Sequence, residues 1–338
     1  MKEPKIRIKG FSGEWKRPLL EECLEISNEV NNQNLYGKNE VLSVSDESGV
    51  VNQIKHLGRS YAGKSLSGYK ILRPDQIVYT KSPLRQKPFG IIKVNNGETG
   101  IVSVLYGIYD AKEGVYPKYI QRYFDPSNRI NNYLLPLVNK GAKNTMNISD
   151  ETALQGTISI PPTQDEQKAI CNVLDGIDAQ ILASTSRLAS LKQMKAASLQ
   201  AMFPQEGETV PKVRFKEFKG EWDKQSASDL FLSIDERNRP ELPVLSACQD
   251  IRGMIPREKI GFNVSHDTSN EVTYKRVKPG QFVIHLRSFQ GGFAHSSYDG
   301  IISPAYTVFD FKDKERHDDY YWKIVFMSRA FIDNASSG

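Results

Sequence analysis

One segment of this chain occurs twice. Pro4-Lys5-Ile6-Arg7-Ile8-Lys9-Gly10-Phe11-Ser12-Gly13-Glu14-Trp15 returns as Pro211-Lys212-Val213-Arg214-Phe215-Lys216-Glu217-Phe218-Lys219-Gly220-Glu221-Trp222, 207 residues further on. The correspondence continues. Val41-Leu42-Ser43 reappears as Val244-Leu245-Ser246, and Tyr69-Lys70-Ile71-Leu72-Arg73-Pro74-Asp75-Gln76-Ile77-Val78 as Tyr274-Lys275-Arg276-Val277-Lys278-Pro279-Gly280-Gln281-Phe282-Val283. Solenoid repeats recur every 20 to 50 residues or so, whereas a spacing of domain size means two copies of a whole folding unit.

The copies are unequal. Tyr119-Ile120-Gln121-Arg122-Tyr123-Phe124 corresponds to Tyr321-Trp322-Lys323-Ile324-Val325-Phe326, after which the second copy has only Met327 to Gly338. The first copy runs on through Pro161-Pro162 into a helical pattern ending near Phe203. The second is therefore expected to stop before its own helix.

The helical pattern has a single apolar seam. Thr163-Gln164-Asp165-Glu166 has the form of a capping box. Beyond it Ile170, Leu174, Ile177, Ile181, Ser184, Leu188 and Leu191 step by four and three, a heptad repeat. A helix from Gln164 to Met202 would be on the order of 60 Å long. A rod of that kind is not stable alone in water, so the seam calls for a partner. Phe203-Pro204-Gln205-Glu206-Gly207-Glu208-Thr209-Val210-Pro211 breaks the pattern and links to the second copy.

The flanking texture is α+β. In the first copy, strands are expected at Glu40 to Val44, Gln76 to Thr80, Gly90 to Val94 and Gly100 to Leu105. Helices are expected at Pro18 to Ile26, Pro117 to Phe124 and Asn131 to Val138. The organisation is thus a first module over 1–150, a spacer helix over 151–204 and a second, incomplete module over 205–338. A composition of 39% hydrophobic and 25% charged residues suits soluble globular domains. No apolar run approaches the roughly 18 residues of a membrane span, and Met1-Lys2-Glu3-Pro4 does not open a signal peptide, so a cytoplasmic location is expected. Cys23, Cys171 and Cys248 are far apart and odd in number, which argues against a disulfide framework or a zinc site.

Three chemical motifs fail on context. Gly58-Arg59-Ser60-Tyr61-Ala62-Gly63-Lys64-Ser65 matches the phosphate-loop pattern, but neither a feeding strand nor a helix starting at the lysine is expected. Ser303-Pro304-Ala305-Tyr306 resembles the catalytic tetrapeptide of amino-methyltransferases but lacks the amide or carboxylate that would accept from an exocyclic amine. No Glu-x-Lys follows Pro74-Asp75 to gather a magnesium ion, and the five histidines show no ligand spacing. No metal site and no catalysis by this chain are expected. What remains is recognition. Tyr79-Thr80-Lys81-Ser82-Pro83-Leu84-Arg85-Gln86-Lys87-Pro88 follows a strand and mixes cations, hydroxyls and an amide, the inventory that contacts phosphates and base edges. His285-Leu286-Arg287-Ser288-Phe289-Gln290-Gly291-Gly292-Phe293 holds the same place in the second copy. The net charge of +5 fits a nucleic-acid partner without demanding one.

These elements resemble the specificity subunit of type I restriction-modification systems. The resemblance covers the whole chain and rests on the two Gly-Glu-Trp openings, Tyr69 to Ser82, Ile302-Ser303-Pro304-Ala305-Tyr306, and above all Ile160-Pro161-Pro162-Thr163-Gln164-Asp165-Glu166-Gln167-Lys168-Ala169-Ile170 with Leu174-Asp175-Gly176-Ile177-Asp178. It implies that each module is a target recognition domain reading half of a bipartite site in double-stranded DNA. It further implies that two spacer helices pair antiparallel, set the gap between half-sites and dock modification (methyltransferase) subunits. The chain itself would be non-catalytic and bind no cofactor. S-adenosylmethionine, ATP and Mg would belong to the modification subunits and to a separate motor-nuclease restriction subunit.

On that reading Lys55, Arg59, Lys64, Lys81, Arg85 and Lys87 supply phosphate contacts. Tyr61, Ser82 and Gln86 join them in the first module, and His285, Arg287, Ser288 and Gln290 face DNA in the second. Ile170, Leu174, Ile177, Ile181, Leu188 and Leu191 form the helix interface. The sequence departs from the family in lacking a counterpart of Ala142 to Phe203 after Gly338, so self-association through the helix is an alternative, as is a separately supplied mate. Rival readings are a truncated scaffold or regulatory fragment that dimerises through its helix, and a nucleotide-using enzyme built on Gly58 to Ser65.

Overall fold

The computed structural model describes residues 4–81, 84, 86–140, 146–205, 207–248, 253–259, 268–285, 292–328 and 331. It divides into two compact units, Met1–Thr185 and Ser186–Gly338.

In the first unit α1 (Leu20–Cys23) leads into β1 (Leu24–Ile26), followed by the hairpin β2 (Leu42–Ser45) and β3 (Gly49–Asn52) and the short α2 (Gln53–Leu57). Then come β4 (Lys70–Leu72), β5 (Ile77–Thr80), β6 (Ile91–Val94), β7 (Gly100–Val102), β8 (Gly107–Ala111), α3 (Pro117–Phe124), α4 (Ser127–Leu134) and the two-residue strands β9 (Asn139–Lys140) and β10 (Met146–Asn147). The main sheet has the order β1-β8-β5-β6, and β4 pairs with β7. All four residues of β5 are buried between β8 and β6, which is why Ile77-Val78-Tyr79-Thr80 reads as a continuous β-prone run.

The helix expected over Pro18 to Ile26 is one turn long. Leu24 to Ile26 are taken by the sheet instead, Leu24 pairing with Ala111 and Ile26 with Tyr109, and ladder pairing outweighs a weak helical preference. The helix expected from Asn131 begins four residues early, at Ser127. Ala153, Leu154, Ile158 and Ile160 belong to the first unit's core. Their segment lies along the chain's opening, with hydrogen bonds from Lys16 N–H to Ile160 O (3.0 Å), Ile158 N–H to Pro18 O (3.1 Å) and Leu20 N–H to Gly156 O (2.8 Å).

α5 (Gln164–Ala201) is one continuous helix of 38 residues, and its start is anchored by polar side chains. Thr163 Oγ1 accepts from Glu166 N–H at 3.3 Å, half of the expected capping box. The other half does not form. The buried Glu166 carboxylate turns to Arg7, accepting from Nε and Nη2 at 2.8 Å each, and to the Trp15 indole at 3.2 Å. Gln167, also buried, accepts from Tyr116 N–H (2.8 Å) and donates to Gly114 O (3.0 Å). Further along the helix, Asp175 accepts from Lys118 (2.6 Å) and Arg122 (2.5 Å), and Asp178 pairs with Arg122 at 2.7 Å. The Glu-Gln and Asp-Gly-Ile-Asp signatures are thus the tethers of this helix.

The second unit repeats the plan with α6 (Ala227–Leu230), β11 (Phe231–Ile234), β12 (Leu245–Cys248), β13 (Gly253–Pro256), β14 (Lys275–Val277), β15 (Phe282–Ile284), β16 (Phe293–Ser296), β17 (Gly300–Ile302), β18 (Thr307–Phe311) and α7 (Asp319–Met327). Its sheet order is β11-β18-β15-β16-β13-β12, with β14 on β17. The duplication extends to individual bonds. Gln76 donates to Asp110 at 2.9 Å and accepts from Arg73 N–H, and Gln281 donates to Asp310 at 2.8 Å and accepts from Lys278 N–H. Gly100 and Gly300 admit no side chain: a Cβ would lie 2.4 Å from Glu40 O in one unit and 2.5 Å from Pro243 O in the other. The units differ in that β13 joins β16 in parallel, and in that the second unit has, beside an aliphatic cluster on Leu245, Val277 and Val283, an aromatic one built on Phe282, Phe309, Phe311 and Phe326.

Replacing Arg7 by Ala leaves the Glu166 carboxylate buried without its cation and should cost about 3 kcal/mol. The repeat-related Arg214→Ala, whose guanidinium meets no carboxylate among the described residues, should cost less than about 1 kcal/mol. Urea unfolding of the two variants checks the contrast, and equal losses would contradict it.

Candidate nucleic-acid interface

The first unit carries an exposed cationic surface on α2 and the loop after it. Asn52 caps α2 by accepting from Lys55 N–H at 3.1 Å, and Gly58 ends the helix in the left-handed region. Gln53 then pins the loop, its Oε1 accepting from Ser60 Oγ (3.0 Å) and Tyr61 N–H (2.7 Å) while Nε2 donates to Ser43 Oγ (3.0 Å). Lys55, Arg59, Tyr61 and Lys64 are all exposed. The Arg59 guanidinium lies 4.6 Å from the Tyr61 ring centroid, a cation–π contact that holds both side chains at the surface. Lys55, Arg59 and Lys64 have no carboxylate partner among the described residues, so their charge is available to a polyanion. His56, exposed beside them, carries no motif that would single it out in the sequence. The phosphate-loop context is absent here: a helix, not a strand, precedes Gly58, and none begins at Lys64.

The loop after β5 is different. Lys87, expected to protrude, is buried, and its ammonium lies 2.6 Å from Asp46. Lys81 is half-buried and pairs with Asp150 at 2.8 Å, where Lys70 also ends. Neither is a free cation, because each is already paired with a carboxylate, Lys87 with the partly exposed Asp46 and Lys81 with the less exposed Asp150. Gln86 is exposed, whereas Ser82 and Arg85 lie outside the described residues. So do Arg287, Ser288 and Gln290 in the second unit. His285 is half-buried with its ring 5.9 Å from that of Tyr306. Burial pushes its pKa down, favouring a neutral imidazole that can both donate and accept.

The repeat keeps the anchoring of this position to the preceding strand and changes the side chain. Gln53 N–H bonds Val41 O and Arg257 N–H bonds Val244 O, while Gln53 Nε2 and Arg257 Nε reach the repeat-related Ser43 and Ser246. The methyltransferase-like Ser303-Pro304-Ala305-Tyr306 is a turn, with Tyr306 N–H bonded to Ser303 O at 3.0 Å. Ser103-Val104-Leu105-Tyr106 makes the same turn at 3.1 Å in the first unit. Among the described residues no three His, Cys, Asp or Glu side chains gather as a metal site. Among the same residues no helix is long and apolar enough to cross a membrane.

The helix candidates divide at the first turns. Ile170 packs against the first unit's core, whereas Leu174, Ile177, Ile181, Leu188 and Leu191 are 38 to 59% exposed. The seam is therefore an uncovered apolar stripe and not part of a core.

A chain of ion pairs joins the β2–β3 turn to α5. Asp46 holds Lys87 and Lys93, Lys93 holds Asp125 at 3.1 Å, Asp125 holds Arg122, and Arg122 holds Asp175 and Asp178. Burial pushes the Asp46 and Asp175 pKa values up. The bonds from Lys87 and Lys93 to Asp46, and from Lys118 and Arg122 to Asp175, more than offset it, so both carboxyls titrate below their ordinary range. Asp150 is lowered likewise by Lys70 and Lys81 against its own desolvation. A depressed carboxyl pKa contributes stability above the unfolded value of about 3.9 and loses it as pH falls through the folded value. Stability should therefore fall below about pH 4, and Asp46→Asn with Asp175→Asn should flatten that acid limb while lowering stability at pH 7. Urea midpoints across pH 2.5 to 7 (a range of about 4 units around that value) measure it, and an unchanged acid limb would refute the network.

No family model and no curated protein matches this chain. Three solved structures align with nearly all of it. The HsdS subunit of Thermoanaerobacter tengcongensis aligns at 15% identity and a TM-score of 0.45, over 97% of this chain and 82% of that one. The type I restriction-modification S subunit of M. genitalium aligns at 12% identity and 0.42, over 99% and 82%. A chain from a study of assembly and conformational transition in the type I R-M system aligns at 15% identity and 0.41, over 96% and 80%.

Proposed function

We propose that this chain is the DNA sequence-recognition subunit of a type I restriction-modification assembly. The observation that carries the reading is one scaffold built twice, down to the Gln76–Asp110 and Gln281–Asp310 bonds, with different polar side chains on equivalent loops. Two such surfaces on one polypeptide suit a target read in two parts. The cations Lys55, Arg59 and Lys64, unpaired among the described residues, supply sequence-independent affinity through phosphates, and uncharged loop groups such as Gln86 and neutral His285 suit base edges. The chain acts by recognition, and methyl transfer to adenine, ATP use and cleavage fall to partner subunits.

The exposed stripe from Leu174 to Leu191 suits a second helix, which docks modification subunits together with α5. Self-association through that stripe is the second reading, favoured by its exposure along the helix. A clean monomer whose mass is unaffected by Leu188→Asp would count against it.

Salt dependence tests the DNA reading. In the complex with a modification subunit, changing Lys55, Arg59 and Lys64 together to Ala should lower the slope of log affinity against log salt by about 2 to 3, close to 0.9 for each phosphate left without its cation. Nucleotide binding should be unaffected. Lys87→Ala should instead destabilise the fold, since it empties a buried position and leaves Asp46 with Lys93 alone, 3.4 Å away. Unchanged DNA affinity in the triple variant, or loss of ATP binding in Lys64→Ala, would overturn the assignment.

A further inference from the structure

An open pocket of about 400 Å³ lies in the first unit where the chain's opening, α3, α4 and the start of α5 meet. Trp15, Tyr119 and Tyr123 give it aromatic rings, Leu174 an aliphatic side chain, and Arg122 and Arg129 two guanidinium groups. Two of the rings have their polar atoms committed. The Tyr119 hydroxyl donates to Ser159 O at 2.7 Å, and the Trp15 indole N–H donates to Glu166 at 3.2 Å. What these two residues offer a ligand is apolar ring surface.

The two cations are placed differently. Arg122 commits its terminal nitrogens to Asp125, Asp175 and Asp178, while its Nε–H is buried and has no acceptor among the described residues. A buried donor without an acceptor is uncommon in folded proteins and costs stability. Arg129, which is exposed, donates from Nη1 to Tyr123 O at 3.2 Å, and its guanidinium lies 4.7 Å from the Tyr123 ring centroid. It meets no carboxylate among the described residues.

Charge balance then selects the ligand. Lys87, Lys93, Lys118 and Arg122 are matched in number by Asp46, Asp125, Asp175 and Asp178, so that network is neutral and Arg129 is a surplus positive charge beside it. A single negative charge balances the site, and a second would be uncompensated. The repeat separates scaffold from ligand chemistry. Trp15 and Tyr119 have counterparts in Trp222 and Tyr321, whereas Ile324 and Val325 stand in the places of Arg122 and Tyr123. The repeated fold keeps the tryptophan and the first tyrosine, and the guanidinium and the third ring are particular to the first copy.

We propose that this pocket binds a small planar aromatic carboxylate. The ring system lies among Trp15, Tyr123 and Leu174, and the carboxylate accepts from the Arg129 guanidinium and from Arg122 Nε–H. A neutral amide in its place leaves the Arg129 charge unanswered, and a phosphate dianion brings one charge too many. The site shares no residue with the cationic surface on α2 and does not depend on the DNA reading.

Calorimetric titration of the full chain with β-naphthoate, with its neutral amide and with β-naphthyl phosphate tests the site. The carboxylate should bind one per chain with a Kd of about 1 mM or tighter. The amide to the unaltered chain, and the carboxylate to Arg129→Gln, should each bind about tenfold more weakly. Arg129→Lys should recover part of the loss, and an unchanged circular dichroism spectrum checks that both variants keep the fold. In proton–nitrogen correlation spectra, the indole signal that disappears in Trp15→Phe should move on titration while those of Trp222 and Trp322 stay. Absence of saturable binding in that range, equal binding of the amide, binding indifferent to Arg129→Gln, tighter binding of the phosphate, or movement of the Trp222 or Trp322 signal in place of that of Trp15 would overturn the proposal.

Discussion

A buried carboxylate that has to find a cation organises the first unit. Glu166 sits in the first turn of α5, its side chain 1% exposed, and Arg7 and Trp15 close over it. Coulomb attraction at such a site is strong only while both partners are present, so the pair works as a latch that ties the chain's opening to the start of the helix. Gln167 fastens the turn before α3, and Asp175 and Asp178 fasten α3 itself. Beyond Asp178 the helix has no such tether among the described residues, and its apolar seam is exposed.

The same reasoning separates cations that hold the fold from cations that can meet a ligand. Lys70, Lys81, Lys87 and Lys93 all come from the sheets or an adjoining loop, and each neutralises an aspartate. Lys55 on α2 and Arg59 and Lys64 on the loop after it, which a neutral glutamine pins, have no carboxylate partner among the described residues. A positive surface next to a neutralised interior is what an anionic partner needs, since counterions leave the former and the latter is little screened by salt.

The sequence was legible where the physics is local. Ile77 to Thr80 and Ile91 to Val94 read as strands because they are short β-prone runs between turn residues, and Pro117 at a helix start marked α3. The duplication, the length of α5 and its uncovered stripe were also legible, since period and repeat need no tertiary knowledge. Leu24 to Ile26 was not, because only its pairing with β8 makes it a strand. Glu166 was read as a cap because Arg7, 159 residues away, is invisible to local pattern. Lys87 was read as a surface cation for the same reason: Asp46 lies 41 residues earlier. Ion-pair partners are chosen by the fold, and residue types alone do not reveal them.

The central claim is that a doubled scaffold reads a divided DNA target. The most direct measurement is the adenine methylation pattern of cells in which this chain is expressed with a type I modification subunit. The account predicts methylation at a two-part motif with an unspecified middle, one half of which changes when the 79–88 loop is exchanged for another. A methylation pattern that neither appears with this chain nor responds to that loop would contradict it.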